Sequence, residues 1–161
     1  MPELSILTTT EPPWLMRAHA QRDLLLKSIS GVMGGQSLVL VVECTRAGRV
    51  NEMHDELARA LRLPEYYGRN LNALWDCITD VGWYDYLPLC VVLMDADQFL
   101  VAEPMENMLT ELFERAGQYW ATGHNENEVF EPPTPFHCVL NYPNSVAVDV
   151  SALVPHELVI R

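Results

Sequence analysis

A run of seventeen residues carries the side chains of this chain that are best suited to recognition chemistry. Residues 63–79 read LPEYYGRNLNALWDCIT and place the carboxylate of Asp76 close to the rings of Tyr66, Tyr67 and Trp75. An ionised carboxylate forms strong hydrogen bonds with cationic groups, and aromatic rings supply rigid contact area. The pattern is therefore typical of a surface that binds a cationic partner. The alternative is that the three rings pack into the core, as large apolar residues usually do.

The same run predicts a loop followed by an amphipathic helix. Pro64 and Gly68 favour a loop, and Asn70 is placed to cap the first turn of the helix. At about 100° per residue the helix has an apolar side and a polar side. The apolar side consists of Leu71, Leu74, Ile78 and Val81. The polar side consists of Asn72, Asp76, Thr79 and Asp80. Trp75 lies on the border between them.

The charge of the chain is concentrated around this run. The net charge is −12, and residues 63–131 contain 13 of the 22 acidic residues but only two basic ones, Arg69 and Arg115. Nucleic acid is an improbable direct ligand, because phosphate backbones are bound by basic patches. A basic protein partner fits better, since an acidic field accelerates its capture. Acidic surfaces also occur simply because they keep proteins dissolved.

Motifs of enzymes and metal sites are missing from the sequence. The five histidines, at positions 19, 54, 124, 137 and 156, have no metal-ligand spacing with one another or with cysteine. No glycine-rich phosphate loop and no nucleophile turn occur. Asp95 and Asp97 follow a predicted strand, where α/β proteins often bind ligands, but turn and capping roles explain them equally. We expect a protein that is not an enzyme and that has no metal or cofactor.

The cellular setting is read from cysteines and hydropathy. Cys44, Cys77, Cys90 and Cys138 are widely spaced in apolar surroundings, which favours reduced, buried thiols. No apolar run reaches the roughly 18 residues that a membrane helix needs, and the start lacks the basic region of a secretory signal. We expect a cytoplasmic protein that does not contact a membrane.

The order of elements predicts an α/β fold. Helical periodicity covers residues 14–30, 50–61, the run above and about 104–120, whereas residues 38–42, 89–94 and 136–140 are apolar strands. Residues 122–135 have the composition of a polar loop, and residues 146–150 and 158–160 are candidate edge strands. Strand–helix–helix–strand–helix–strand predicts a small three-stranded parallel sheet with crossover helices.

The run 63–79 resembles the signature of the barstar family, small intracellular proteins that inhibit ribonucleases. The family pattern is close to LPEYYGxNLDALWDCLT, where x is any residue, and fifteen of seventeen positions fit. The two departures are Asn72 and Ile78. The resemblance extends weakly over about residues 38–140. It implies a barstar-like domain at 37–140, an N-terminal extension with one helix at 1–36, and a C-terminal extension at 141–161 that holds the candidate edge strands.

The resemblance also implies a function and a set of contacts. An acidic helix and its preceding loop would mimic RNA phosphate and block the active site of a basic secreted or toxin ribonuclease, as an immunity protein of a bacterium does. The carboxylate matching Asp76 is the main anchor in the family. The partner-binding residues implied are Tyr66, Tyr67, Gly68, Asn70, Asn72, Trp75, Asp76, Thr79 and Trp83. Cys77 matches a family cysteine and should be buried.

Two departures indicate a target that differs in detail from the best-known ribonuclease partner. Asn72 replaces a family carboxylate and loses its charge, and Arg115 aligns with a family contact glutamate. An alternative therefore stays open: an immunity or regulatory protein with the same fold that binds a partner other than a ribonuclease. The third hypothesis is an enzyme that uses the strand-end aspartates Asp95 and Asp97.

Overall fold

A computed structural model describes residues 1–80, 83–103, 105–126, 129–143, 151 and 153–160. Six strands and four α-helices are present among them. In chain order they are β1 (Leu15–Ala18), α1 (Arg22–Met33), β2 (Leu38–Glu43), α2 (Val50–Ala60), α3 (Leu71–Ile78), β3 (Leu89–Met94), α4 (Glu106–Thr122), β4 (His124–Glu126), β5 (Val129–Glu131) and β6 (Phe136–Asn141). None of the helices in this described part is long and apolar enough to cross a membrane.

The centre of the fold is a four-stranded parallel sheet in the order β1-β6-β3-β2. The three strands predicted from apolar runs, β2, β3 and β6, are confirmed. The α/β class and the parallel sheet are confirmed as well, but the predicted count of three strands is wrong. The fourth strand, β1, lies outside the run of alternating elements. It is a short segment that pairs with β6 and has a single bridge, through Arg17, to Glu157 on its other side.

Alternate residues of each strand point to opposite sides of the sheet, so both of its faces carry apolar side chains. Both faces are covered by helices. Helices α2, α3 and α4 pack on one face, and α1 with the 3-10 turn Leu4–Thr8 packs on the other. One row across the four strands faces the first core: Leu15, Cys138, Val91 and Leu40. The next row faces the second core: Met16, Val139, Val92 and Val41.

The first prediction for the N-terminal region is wrong in part. A helix was expected over residues 14–30, but the four residues after Trp14 form the strand β1. Helix α1 begins at Arg22 and ends at Met33, with Gly34 as its C-cap. The backbone of Gly34 has a φ of 78°, which favours glycine and stops the helix. Pairing with β6 overrides the local helical preference of residues 15–18, since strand pairing is a non-local interaction.

The second half of the chain shows one further difference. The polar loop expected over residues 122–135 contains a short antiparallel hairpin, β4–β5. Of the two candidate edge strands, residues 146–150 lie outside the described residues. Residues 158–160 do not form a strand with a ladder; single parallel bridges join Val159 to Glu3 and Glu157 to Arg17. The fourth helix was expected to start at about residue 104, which also lies outside the described residues, as does Val81 of the predicted apolar side of α3.

Candidate functional site

The loop before α3 is built so that it enters the helix in one conformation. Asn70 is the N-cap, as predicted, and its side-chain oxygen accepts a hydrogen bond from the amide of Ala73 at 2.8 Å. The side-chain NH2 group of Asn70 donates a hydrogen bond to the carbonyl of Gly68 at 3.1 Å. A Cβ atom at Gly68 would lie 3.3 Å from the Cβ of Ala73, so the loop passes close to the helix. One side chain therefore fixes both the loop and the first turn.

Helix α2 holds the same loop from the other side. The Tyr67 hydroxyl is hydrogen-bonded to Nδ1 of His54, and burial raises the pKa of Tyr67 to about 12. Arg69 forms an ion pair with Asp55 and donates to the carbonyl of Asn51 at 3.0 Å. The backbone of Arg69 has a φ of 55°, a conformation that non-glycine residues seldom adopt. Contacts with α2 therefore stabilise a loop that local preference alone would not form.

The two neighbouring tyrosines point in opposite directions. Tyr66 is 78% exposed, whereas Tyr67 is only 8% exposed and belongs to the core under α2. Sequence reasoning placed both in one set of binding residues, because adjacent tyrosines in a loop carry no signal that tells them apart. His54, a buried polar side chain on the preceding helix α2, is the hydrogen-bond partner of the Tyr67 hydroxyl. This partner distinguishes Tyr67 from Tyr66.

The burial of residues on the two sides of α3 agrees with the helical periodicity of the sequence. Leu74, Cys77 and Ile78 are buried, and Leu71 is half-buried. On the other side Asn72, Asp76 and Asp80 are exposed, with Thr79 half-buried. The Thr79 hydroxyl donates to the carbonyl of Trp75 at 2.7 Å, so that proton is engaged within the helix. Burial raises the pKa of the Cys77 thiol, and the nearby Asp80 and Asp76 carboxylates add to that rise.

Asp76 presents its carboxylate to solvent. Within the described part of the chain it forms no hydrogen bond and no ion pair. An ionised carboxylate that is not neutralised by its own protein can accept several hydrogen bonds from a partner. This makes Asp76 the side chain of α3 with the largest unused capacity for binding cationic groups.

An aromatic row beside Asp76 links α3, α4 and the hairpin. Trp75 is half-buried and meets Tyr119 of α4 edge-on, with 5.8 Å between ring centroids. Tyr119 in turn stacks on His124 of β4 at 3.8 Å and donates to the Glu131 carboxylate at 3.0 Å. Arg115, one turn before Tyr119, places its guanidinium 4.9 Å from the centre of the Trp75 ring. Sequence reasoning did not include Tyr119 and His124, because their positions in the sequence reveal nothing about their place beside Trp75 of α3.

The segment after α3 has an unusual backbone. Its short 3-10 turn, Trp83–Tyr86, contains three consecutive non-glycine residues with φ between 52° and 60°: Tyr84, Asp85 and Tyr86. The Tyr84 hydroxyl donates to the carbonyl of Leu61, and Tyr86 meets Trp120 edge-on at 6.0 Å. These contacts compensate for the strain and leave Asp85 exposed. The side chain of Trp83, a predicted contact residue, lies outside the described part of the structure.

The strand-end aspartates Asp95 and Asp97 take part in the short turn that follows β3. Asp95 has a φ of 53° and begins a short turn, and Asp97 accepts a hydrogen bond from the Gln98 side chain at 2.9 Å. No group of three or more His, Cys, Asp or Glu side chains in the described ranges is placed to hold a metal ion. A small cavity near the start of the central strands β3 and β6 is lined by other residues: Tyr84, Tyr86, Leu87, Leu89, Trp120, Thr134 and Phe136.

Comparisons with known proteins bear directly on this surface. The family model described as Barstar (barnase inhibitor) matches residues 37–140, which include α2, the loop, α3 and α4. A protein of Bacillus subtilis (strain 168) named "Putative ribonuclease inhibitor YrdF" is 57% identical to this chain over 44 residues. The match covers 27% of this chain and 45% of that relative, so the chain spans less than half the length of the relative it matches.

Proposed function

The chain belongs to the barstar family, and we propose that it inhibits a ribonuclease by occupying the enzyme's active site with α3 and the loop before it. The observation that carries this proposal is the exposed, unneutralised carboxylate of Asp76 on a helix whose opposite side is anchored in the core. In this proposal Asp76 takes the position of an RNA phosphate and accepts hydrogen bonds from cationic groups of the enzyme. Such pairs are strong when the interface excludes water.

The surroundings of Asp76 support the same mode. Tyr66 offers the largest exposed ring of the loop, and Trp75 offers a rigid edge beside the carboxylate. Asn72 and Thr79 supply amide and hydroxyl groups on the same side of α3. Tyr67 takes part in contact only through its 8% exposed fraction. We propose that Gly68, Asn70 and Trp83 complete this surface.

The distribution of charge supports a basic partner. Exposed carboxylates stand on the loop, on α3, on the segment after α3 and on α4: Glu65, Asp76, Asp80, Asp85, Glu111 and Glu114. An enzyme that binds RNA carries positive potential in its cleft, so opposite fields would speed association. The rate of association should fall as salt is added, because salt screens exposed charges beyond about 10 Å at 0.1 M.

The proposed setting is the bacterial cytoplasm, where an immunity protein meets the toxic ribonuclease of its own cell or of a neighbour. All four cysteines are free and buried, which fits a reducing compartment. Burial raises the pKa of Cys90 to about 12 and that of Cys138 well above its usual value, so these thiols stay protonated.

Inhibition of RNA cleavage tests the proposal, with barnase and other small basic ribonucleases as targets. Wild-type protein should inhibit at least one of them at stoichiometric amounts. Asp76→Ala should weaken that inhibition by about 30-fold to several thousand-fold, the range that corresponds to the roughly 2–5 kcal/mol seen when one member of a desolvated charge pair is truncated at interfaces such as barnase–barstar.

The matched control is Asp23→Ala, which removes an exposed carboxylate from α1 on the opposite face of the sheet. It changes the net charge by the same amount and should leave inhibition within about twofold of wild type. Equal loss in both variants would show that only general charge matters. Unchanged inhibition in Asp76→Ala would contradict the proposed mode.

A further inference from the structure

The acidic segment around the site contains one cation, Arg115, that no described residue of the chain neutralises. Residues 63–131 hold only two basic residues. Arg69 is ion-paired with Asp55 and hydrogen-bonded to Asn51. Arg115 is exposed, and among the described residues it has neither an ion pair nor a hydrogen bond. The guanidinium of Arg115 lies over the ring of Trp75.

This cation is positioned rather than loosely solvated. The guanidinium centre lies 4.9 Å from the centroid of Trp75, within the range of a cation–π interaction. Trp75 is itself held by the edge-on contact with Tyr119. A guanidinium stacked on an aromatic face keeps the N–H groups on its edge available for hydrogen bonds. Arg115 therefore offers a pre-oriented set of donors over the ring of Trp75, the residue that precedes the proposed anchor Asp76 in the sequence.

A fixed cation at this place has consequences for the partner. The proposed partner is basic, so a lysine or arginine opposite Arg115 would be repelled at short range, and water exclusion would increase the cost. A carboxylate opposite Arg115 would instead form a bidentate ion pair with the guanidinium, with two parallel hydrogen bonds. The same side chain thus favours one class of partner and disfavours another, which is how specificity arises between related interfaces.

We propose, on the basis of the proposed inhibitor function, that Arg115 is a specificity-determining residue. It selects ribonucleases that carry a carboxylate at the rim of an otherwise basic active-site cleft, and it discriminates against ribonucleases with a basic group at that place. Asp76 supplies affinity for the class of enzyme, and Arg115, seated on Trp75, distinguishes members within the class.

Association kinetics with barnase test the repulsive half of this inference. Arg115→Gln should raise the association rate with barnase at low salt, and Arg115→Glu should raise it further, by about tenfold in total, with the gain lost near 1 M salt. The control Lys27→Glu makes the same change in net charge on α1, across the sheet, and should alter the rate by less than about twofold. Thermal unfolding checks that every variant is folded.

A double-mutant cycle tests the attractive half. Barnase variants that each change one lysine or arginine at the active-site rim to glutamate are titrated against wild-type protein and Arg115→Gln. At least one barnase variant should bind wild-type protein about tenfold more tightly than barnase does, and this gain should vanish with Arg115→Gln.

The outcomes separate the inference from the function it rests on. Inhibition that depends on Asp76 but is equal for wild type, Arg115→Gln and Arg115→Glu, with no coupling to any rim variant, overturns the role of Arg115 and leaves the inhibitor function intact. Enhancement by Lys27→Glu as large as that by Arg115→Glu also overturns it, because general charge would then be the cause. If neither wild type nor any variant inhibits barnase or any of the other ribonucleases tested, the proposed function is contradicted, and the role of Arg115 falls with it.

Discussion

The contact between Gly117 and Trp14 predicts how strongly the N-terminal strand is tied to the rest of the domain. Gly117 lies in the interior of α4, where alanine would ordinarily stabilise the helix by about 1 kcal/mol. A Cβ atom at this position would lie 2.3 Å from the Cβ of Trp14 and 2.9 Å from the backbone oxygen of Phe136. Neither neighbour is the far end of a flexible side chain, so the chain entering β1 or the start of β6 must move.

Gly117→Ala should therefore destabilise the protein in spite of the better helix former. Overpacking of this kind costs about 1–3 kcal/mol, and distances this short place the change near the upper end. After the gain in helix propensity, a net loss of about 2 kcal/mol in the free energy of unfolding is expected. For a chain of this size the melting temperature should fall by about 4–8 °C.

Gly31→Ala is the matched control. Gly31 also lies within a helix, α1, but no atom lies within 4 Å of the Cβ that alanine would add. This variant should gain about 0.5–1 kcal/mol and melt about 1–4 °C higher. Urea denaturation followed by circular dichroism measures both free energies, and an unchanged m-value shows that the unfolded states are comparable. If Gly117→Ala were as stabilising as Gly31→Ala, the close packing of Trp14 on α4 would be refuted.

Two further predictions concern the loop before α3. Asn70→Ala removes the N-cap hydrogen bond to the Ala73 amide and should cost about 1 kcal/mol in urea denaturation, whereas Asn70→Asp, which keeps an acceptor, should cost less; equal losses would contradict the capping role. His54 is hydrogen-bonded to Tyr67, and burial and the Arg69 charge hold its pKa below 6.5. Its contribution to the stability of the fold is therefore complete above pH 6.5. That contribution is lost as the pH falls from 6.5 towards the folded-state pKa. His54→Gln should make the decline in stability below about pH 6.5 shallower, and an identical pH profile for wild type and variant would contradict this assignment.

Much of the fold was predictable because its signals are local. The apolar runs of β2, β3 and β6, the two-sided pattern of α3 and the capping position of Asn70 depend on residues within a few positions of one another. The exposure of Asp76 follows from the same helical period, since its position is fixed relative to the buried Leu74 and Ile78.

The features that sequence reasoning missed depend on contacts between distant parts of the chain. Residues 15–18 became a strand because β6 offers an open edge, a partner more than a hundred residues away. Tyr67 is buried, and its hydroxyl is hydrogen-bonded to His54 on α2, whereas the neighbouring Tyr66 is exposed. Arg115 acquired its orientation because α4 packs against α3 and brings Trp75 beneath it.

The sequence alone thus determined the strands β2, β3 and β6 and which side of α3 is polar, because periodicity and capping act over a few residues. The tertiary structure decided which tyrosine is available, how β1 joins the sheet and where Arg115 lies relative to Trp75. Those outcomes depend on packing between elements, and packing depends on three-dimensional distances that the spacing of residues along the chain does not contain.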